Sequence, residues 1–283
     1  MVLFQTDLGY AEKCIETLCN LVVVLYRVGL ARNMRQGKFF WVALLILFSC
    51  LGGCLSGNRT ESSISLVVDA NIGNGTIVKS YSDGELISST NVSIDFDFSK
   101  SSGDNMLTTY GIEALHNQSP VTVNASLDSI ITVDFENHGI YDVNAYAIDE
   151  NNLKQMITIK IQIDLRIEWA ESDTHEPKTL TFDPNPINGG PSAKIIEINS
   201  IVENPSLIED LGNGAQSVQI TWNIIDEQND ICQRKSTQIE DGASENWYTV
   251  HFNTFQVHQL EVIYEDGQDN INVNHSIAIL YED

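Results

Sequence analysis

The chain has 283 residues, 42% of them hydrophobic, and a formal charge of −24. That apolar content supports packed cores and speaks against wholesale disorder. An acidic surface of this strength repels phosphate, so nucleic acid and anionic lipid headgroups are set aside as partners; both need clustered Lys and Arg.

The charge is unevenly spread. Five basic and three acidic residues precede residue 55, against ten basic and 36 acidic after it. Cysteines divide the same way: Cys14, Cys19, Cys50 and Cys54 lie in the N-terminal region, and Cys232 stands alone in the acidic body. No disulfide can form within the body, which must therefore be held by core packing.

Residues 34–55 carry the three parts of an export signal. Arg35 and Lys38 supply charge, Phe39 to Phe48 is an unbroken apolar run, and small residues follow. The run is short for a spanning helix, which takes about 20 apolar residues. Leu51-Gly52-Gly53-Cys54 resembles the lipobox of prokaryotic lipoproteins, which implies lipidation of Cys54. The alternative is an uncleaved membrane-anchor helix. Residues 1–33 hold a second apolar patch at Leu21 to Tyr26, ahead of an already complete signal. They are read as a doubtful extension, with Met34 the preferred start. Residues 56–63 form a polar tether.

Beyond the tether, β-branched runs alternate with polar residues, separated by Gly, Asn, Asp and Pro. Val92, Ile94, Phe96 and Phe98 form one such face; Ile131, Val133 and Phe135 another; Ile157, Ile159, Ile161 and Ile163 a third. Tyr110 to Ala114, Val121 to Leu127 and Tyr141 to Ala147 keep the same period. The expectation is an all-β fold of two tandem immunoglobulin-like sandwiches, at 64–164 and 165–283, joined without a linker because the alternation continues through Leu165, Ile167 and Trp169. Further strands are expected at 193–202, 217–225, 232–239, 247–252, 258–264 and 272–281. Phe182 to Pro191 is too rich in Pro and Gly for a central strand.

The segment Phe135 to Asp149 carries Gly139-x-Tyr141-x-Val143, then Ala145, Ala147 and Asp149; upstream stands Phe96-Asp-Phe-Ser-Lys-Ser-Ser-Gly-Asp104. Together they resemble the PKD domain, an immunoglobulin-like module, over about residues 90–165. The family's middle Trp-x-Phe-Gly-Asp-Gly-like turn is replaced here by Tyr110-Gly-Ile-Glu-Ala. The resemblance implies an extracellular module for adhesion, spacing or binding, of the kind borne by prokaryotic surface lipoproteins, marine archaeal ones among them. It implies no catalytic residues.

Gly-x-Ser-x-Gly, His-Glu-x-x-His and phosphate-cradling glycine loops are absent from the sequence. The expectation is a protein that is not an enzyme and needs no cofactor, with calcium the leading metal candidate; a zinc site would need three or four ligands to converge, and the scattered histidines are read as structural ahead of it. Asp226, Glu227 and Asp230 in one turn, and Asp266 and Asp269 in another, supply the oxygen donors Ca²⁺ prefers, although such turns are more often simply solvated. Cys232 has no local partner and reads as a structural thiol, and the six scattered histidines read as structural or solvent-facing. Trp222, Trp247 and Tyr248 are the candidates for stacking on a sugar. The function expected is a membrane-anchored cell-surface protein for adhesion, protein interaction or architecture; the alternative is a carbohydrate-binding or substrate-capturing accessory lipoprotein.

Overall fold

The computed structural model describes residues 63–114, 119–206, 216–267 and 270–281. The extension, the signal or anchor segment, Cys54 and nearly all of the tether lie outside these. The described elements are all strands: β1 (Ile64–Ser65), β2 (Asp69–Ala70), β3 (Asn74–Ser82), β4 (Glu85–Ser89), β5 (Val92–Asp97), β6 (Ser102–Gly103), β7 (Leu107–Glu113), β8 (Val121–Asn124) and β9 (Ile130–Phe135). They continue with β10 (Gly139–Asp149), β11 (Lys154–Thr174), β12 (Leu180–Phe182), β13 (Ile195–Glu203), β14 (Val218–Asp226), β15 (Ile231–Ile239), β16 (Ser244–His251), β17 (His258–Asp266) and β18 (Ile271–Leu280). The alternating runs read from the sequence thus become strands, with ends shifted by a few residues.

The organising element is β11, 21 residues long. It contains neither Gly nor Pro, and its apolar residues alternate with polar ones from Ile157 to Trp169, so the backbone stays extended until the register shift between Glu171 and Thr174, where Asp173 has a φ of 56°. Residues 154–163 pair with β10 and residues 165–174 with β18, both antiparallel. β3 pairs in parallel with residues 162–170. Because residues on β11 that pair with β10 or β18 also pair with β3, the first two strands lie end to end along one edge and β3 occupies the other. A nine-stranded sheet results, ordered β16-β13-β18-β11-β10-β7-β8 with β3 on β11 and β4 on β3. A three-stranded sheet, β2-β5-β9, and a four-stranded one, β12-β17-β14-β15, complete the main layers.

The β3–β4 hairpin was not among the expected strands. Only Ile77 of β3 is fully buried, so its alternation is weak. Its turn is plain in hindsight: Asp83 and Gly84 both have positive φ, 49° and 83°, the geometry of a two-residue hairpin turn for which Asp-Gly is suited. The hairpin pairs with the part of β11 around and beyond Asp164.

Inward side chains of the sheets form the core. Phe96, Phe98, Phe135, Ile161 and Ile163 are fully buried, as are Trp222, Ile277 and Tyr281. Tyr141 enters the core at the start of β10, where its O–H donates to the carbonyl of Asn137 at 2.6 Å. Asp149 closes the β10–β11 turn by accepting the N–H groups of Asn151 and Leu153.

Candidate functional site

The outer face of the large sheet carries a continuous polar row. Strand register places Ser88 opposite Ser80, Ser80 opposite Glu168, Glu168 opposite Ser276, Ser276 opposite Asn199 and Asn199 opposite Tyr248. Directly opposed residues share a face, so these side chains line up across β4, β3, β11, β18, β13 and β16. With neighbouring strands about 4.8 Å apart, the row is roughly 24 Å long. The next row adds Ala170, Asn274 and Ile201 on the same face. The middle of the two rows, from Ser80 to Asn199, lines a groove of about 370 Å³ together with Ile87 of β4, and Ser88 and Tyr248 lie outside its lining.

The chemistry of the groove is neutral to acidic. Ser276 Oγ donates to Glu168 Oε1 at 3.1 Å, and Arg166 Nε stands 3.9 Å from the same oxygen. Asn199 Oδ1 is buried and accepts no hydrogen bond. Tyr248 is 58% exposed and its O–H donates to Glu197 Oε1 at 3.2 Å. The face therefore offers hydroxyls, a carboxylate, amides and one open aromatic ring. It suits a ligand rich in hydroxyl groups better than a phosphate or a flat apolar surface.

Of the three sugar-stacking candidates, Tyr248 alone lies on this face. Trp222 is fully buried, with its indole N–H donated to Ser200 Oγ at 2.7 Å, and Trp247 packs tilted against it at 6.1 Å between ring centres. Both project inward from opposite sheets, so their rings are core rather than surface.

The acidic turns stand apart. Asp226 is paired with His258 at one end of β14, and Asp266 with Gln219 near the other. At about 3.3 Å per residue they are roughly 23 Å apart and cannot serve one ion. Asp226 Oδ1 accepts the N–H groups of Gln228 and Asp230, Glu227 Oε1 accepts that of Val257, and Asp266 Oδ1 that of Gly267. One oxygen of each of these three carboxylates thus takes part in shaping a turn or loop. Asp269 lies outside the described residues.

A second cluster was not legible in the sequence. His251, at the end of β16, and His258, at the start of β17, point inward from the two facing sheets and meet edge to face at 4.6 Å. Cys232 joins them from β15. It lies in a bulge, where Ile224 opposes Gln233 but Ile225 opposes Ile231, leaving Cys232 unpaired on the strand. One donor atom from each of the three lies within 4.8 Å of the others. Burial, then the neighbouring His258, lowers the His251 pKa, while burial, then Asp226 and Asp230, raises that of the Cys232 thiol. His275 also faces inward on the large sheet, but it opposes Ser200 whereas His251 opposes Ile196, so the two lie on separate rows of β13.

No protein-family model matches the chain, and no curated protein matches it. Similarity to solved structures is slight. A carbohydrate-binding module of the β-sandwich superfamily is similar at a TM-score of 0.29 and 10% identity, over 75% of this chain and 96% of that one. A Bacteroides uniformis β-glucuronidase is similar at 0.26 and 8% identity, over 79% of this chain and 30% of that one. A Bacteroides ovatus glucan-utilization protein, SGBP-B, solved with a mixed-linkage heptasaccharide, is similar at 0.20 and 9% identity, over 72% of this chain and 51% of that one. Likenesses at these scores concern architecture alone.

Proposed function

We propose that the chain is a non-catalytic binding protein of the cell surface, and that the outer row from Ser88 to Tyr248 is its platform for a neutral glycan chain. The observation that carries this reading is the combination, side by side, of an unpaired buried acceptor and an open ring: Asn199 Oδ1 without a partner, and Tyr248 directly opposite it. A sugar hydroxyl would satisfy the amide oxygen while a pyranose face covers the phenol ring. Glu168, Ser276 and Asn274 add acceptors and donors along a length that spans several sugar units. Attachment would come through lipid on Cys54 or through the 39–55 helix, on the strength of the sequence alone. The bond from Tyr141 to Asn137 supports a PKD-like reading of the first half, since such a tyrosine corner recurs in immunoglobulin-like sandwiches.

A second reading, adhesion to a protein, is favoured by Phe252 and Phe255, which are 72% and 69% exposed on the β16–β17 loop. Affinity electrophoresis of the full chain in gels containing soluble polysaccharides separates the two. Retardation by a neutral glucan, mannan or xylan, reduced about tenfold by Tyr248→Ala and by Asn199→Ala, supports the platform. Migration unaffected by every polysaccharide sinks it and leaves the adhesive reading.

A further inference from the structure

We propose that Cys232, His251 and His258 bind a thiophilic transition-metal ion of the zinc class through the thiolate and the two imidazoles. The ring state of His258 is fixed by geometry. Its Nε2 lies 2.8 Å from the carbonyl oxygen of Asn253, which can only accept, so Nε2 carries the proton and Nδ1 is a bare lone pair. That Nδ1 is buried and has no partner. A backbone carbonyl holding the far nitrogen is how metal-ligating histidines are commonly oriented.

His251 repeats the pattern from the facing sheet. It is 7% exposed, and its Nε2 is likewise buried without a partner. Its Nδ1 stands 3.3 Å from Gln233 Nε2, a long and weak contact. Ligation through Nε2 puts the ring proton on Nδ1, facing the Gln233 amide, which gives up its present bonds to the Val250 carbonyl and from Thr249 Oγ1 if its oxygen is to accept that proton. Two buried nitrogens without partners, on rings that meet at 4.6 Å beside a thiol, are expensive to leave unpaired. A single cation removes both defects.

The spacing is close to what such an ion needs. Tetrahedral Zn–N and Zn–S bonds set donor separations of about 3.3 to 3.6 Å. All three donor separations are within 4.8 Å, so side-chain movements of roughly 1 Å bring them to that range, and Cys232 is the exposed member of the three. Nitrogen and sulfur donors select zinc or copper over calcium. Binding replaces the thiol proton by the metal, releasing one proton to solvent per ion, and leaves a coordination position for water or an external donor. The site is independent of the glycan platform: β16 presents Tyr248 outward and His251 inward.

The test uses the full chain carrying Cys14→Ser, Cys19→Ser, Cys50→Ser and Cys54→Ser, so that Cys232 is its one thiol. After chelator treatment the protein is titrated with Co²⁺ and then Zn²⁺. The expected result is equimolar Co²⁺ binding with a thiolate-to-cobalt charge-transfer band and tetrahedral d–d absorption, both abolished by Zn²⁺. Cys232→Ser, a surface substitution, removes the charge-transfer band, and it and His258→Gln each weaken binding by more than about tenfold. Absence of saturable binding overturns the proposal, as does binding that Cys232→Ser leaves unchanged, which would assign the ion to surface carboxylates.

Discussion

Ser200 and His275 face each other between the large sheet and the four-stranded one, with the serine hydroxyl 2.9 Å from the imidazole Nδ1. The same hydroxyl accepts the indole N–H of Trp222 from the opposite sheet at 2.7 Å. An indole nitrogen only donates, so the Ser200 oxygen accepts from Trp222 on one side and meets His275 Nδ1 on the other. A hydrogen-bonded chain, Trp222 to Ser200 to His275, thus crosses the core.

Ser200→Ala breaks both links at once. The Trp222 N–H and His275 Nδ1 are left unpaired in a core that water does not reach, and each such group costs about 1–3 kcal/mol. The substitution is expected to lower unfolding stability by about 2–4 kcal/mol in urea titrations. A loss below about 0.5 kcal/mol would show that the chain of bonds is not formed.

Acid sensitivity follows from the same residue. Burial lowers the pKa of His275 to about 4, and burial, then Lys79, lowers that of His138 to about 4. Between an unfolded pKa near 6.5 and these folded values, the unfolded chain binds protons that the native chain refuses. Stability is therefore full above about pH 6.5 and falls as the pH drops towards 4. From neutral pH to pH 5 each histidine should remove about 2 kcal/mol. His275→Gln is expected to flatten that fall relative to wild type when urea midpoints are compared at pH 7.5 and pH 5. An unchanged pH slope would show that His275 takes up its proton in the native state.

The architecture was readable where burial was one-sided and local. Ile157 to Ile163 alternates with Thr158, Lys160 and Gln162 because one face of β11 meets the core, and the strands from β13 to β18 announce themselves the same way. Weak alternation hid β3, whose partner on β11 lies some 90 residues away. The sites were harder to see for a different reason. The outer row draws one residue from each of six strands, and its members meet only through register. Trp222 and Tyr248 look alike as aromatic residues on strands, yet one is sealed between sheets and the other is 58% exposed, a difference set by which face each occupies. His251 and His258 converge because the chain crosses from one sheet to the other between them, which no spacing rule reports.

Calcium provides a further check. Asp226 Oδ1 holds two backbone N–H groups, so Asp226→Ala should destabilise the β14–β15 turn by about 1–2 kcal/mol whether or not calcium is present. Millimolar Ca²⁺ is expected to change wild-type stability by less than about 0.5 kcal/mol, since a ligand stabilises only in proportion to its occupancy of the native state. A calcium-induced shift that disappears in Asp226→Ala would establish the turn as an ion site.

Gly111 and Tyr146 supply the sharpest packing test. They oppose each other on β7 and β10, and a Cβ added at Gly111 would lie 2.2 Å from Tyr146 Cζ. The ring cannot easily swing away, because Lys154 Nζ sits 3.7 Å from its centre and the side chain is 5% exposed. Gly111→Ala should therefore cost about 1–3 kcal/mol through overpacking, although alanine is intrinsically the better strand residue. In a Tyr146→Ala background the clash is gone, and the same substitution should become neutral or stabilising by a few tenths of a kcal/mol. Such a reversal of sign identifies ring-over-glycine packing as the cause. Equal losses in the two backgrounds would instead place the cost in the backbone of β7.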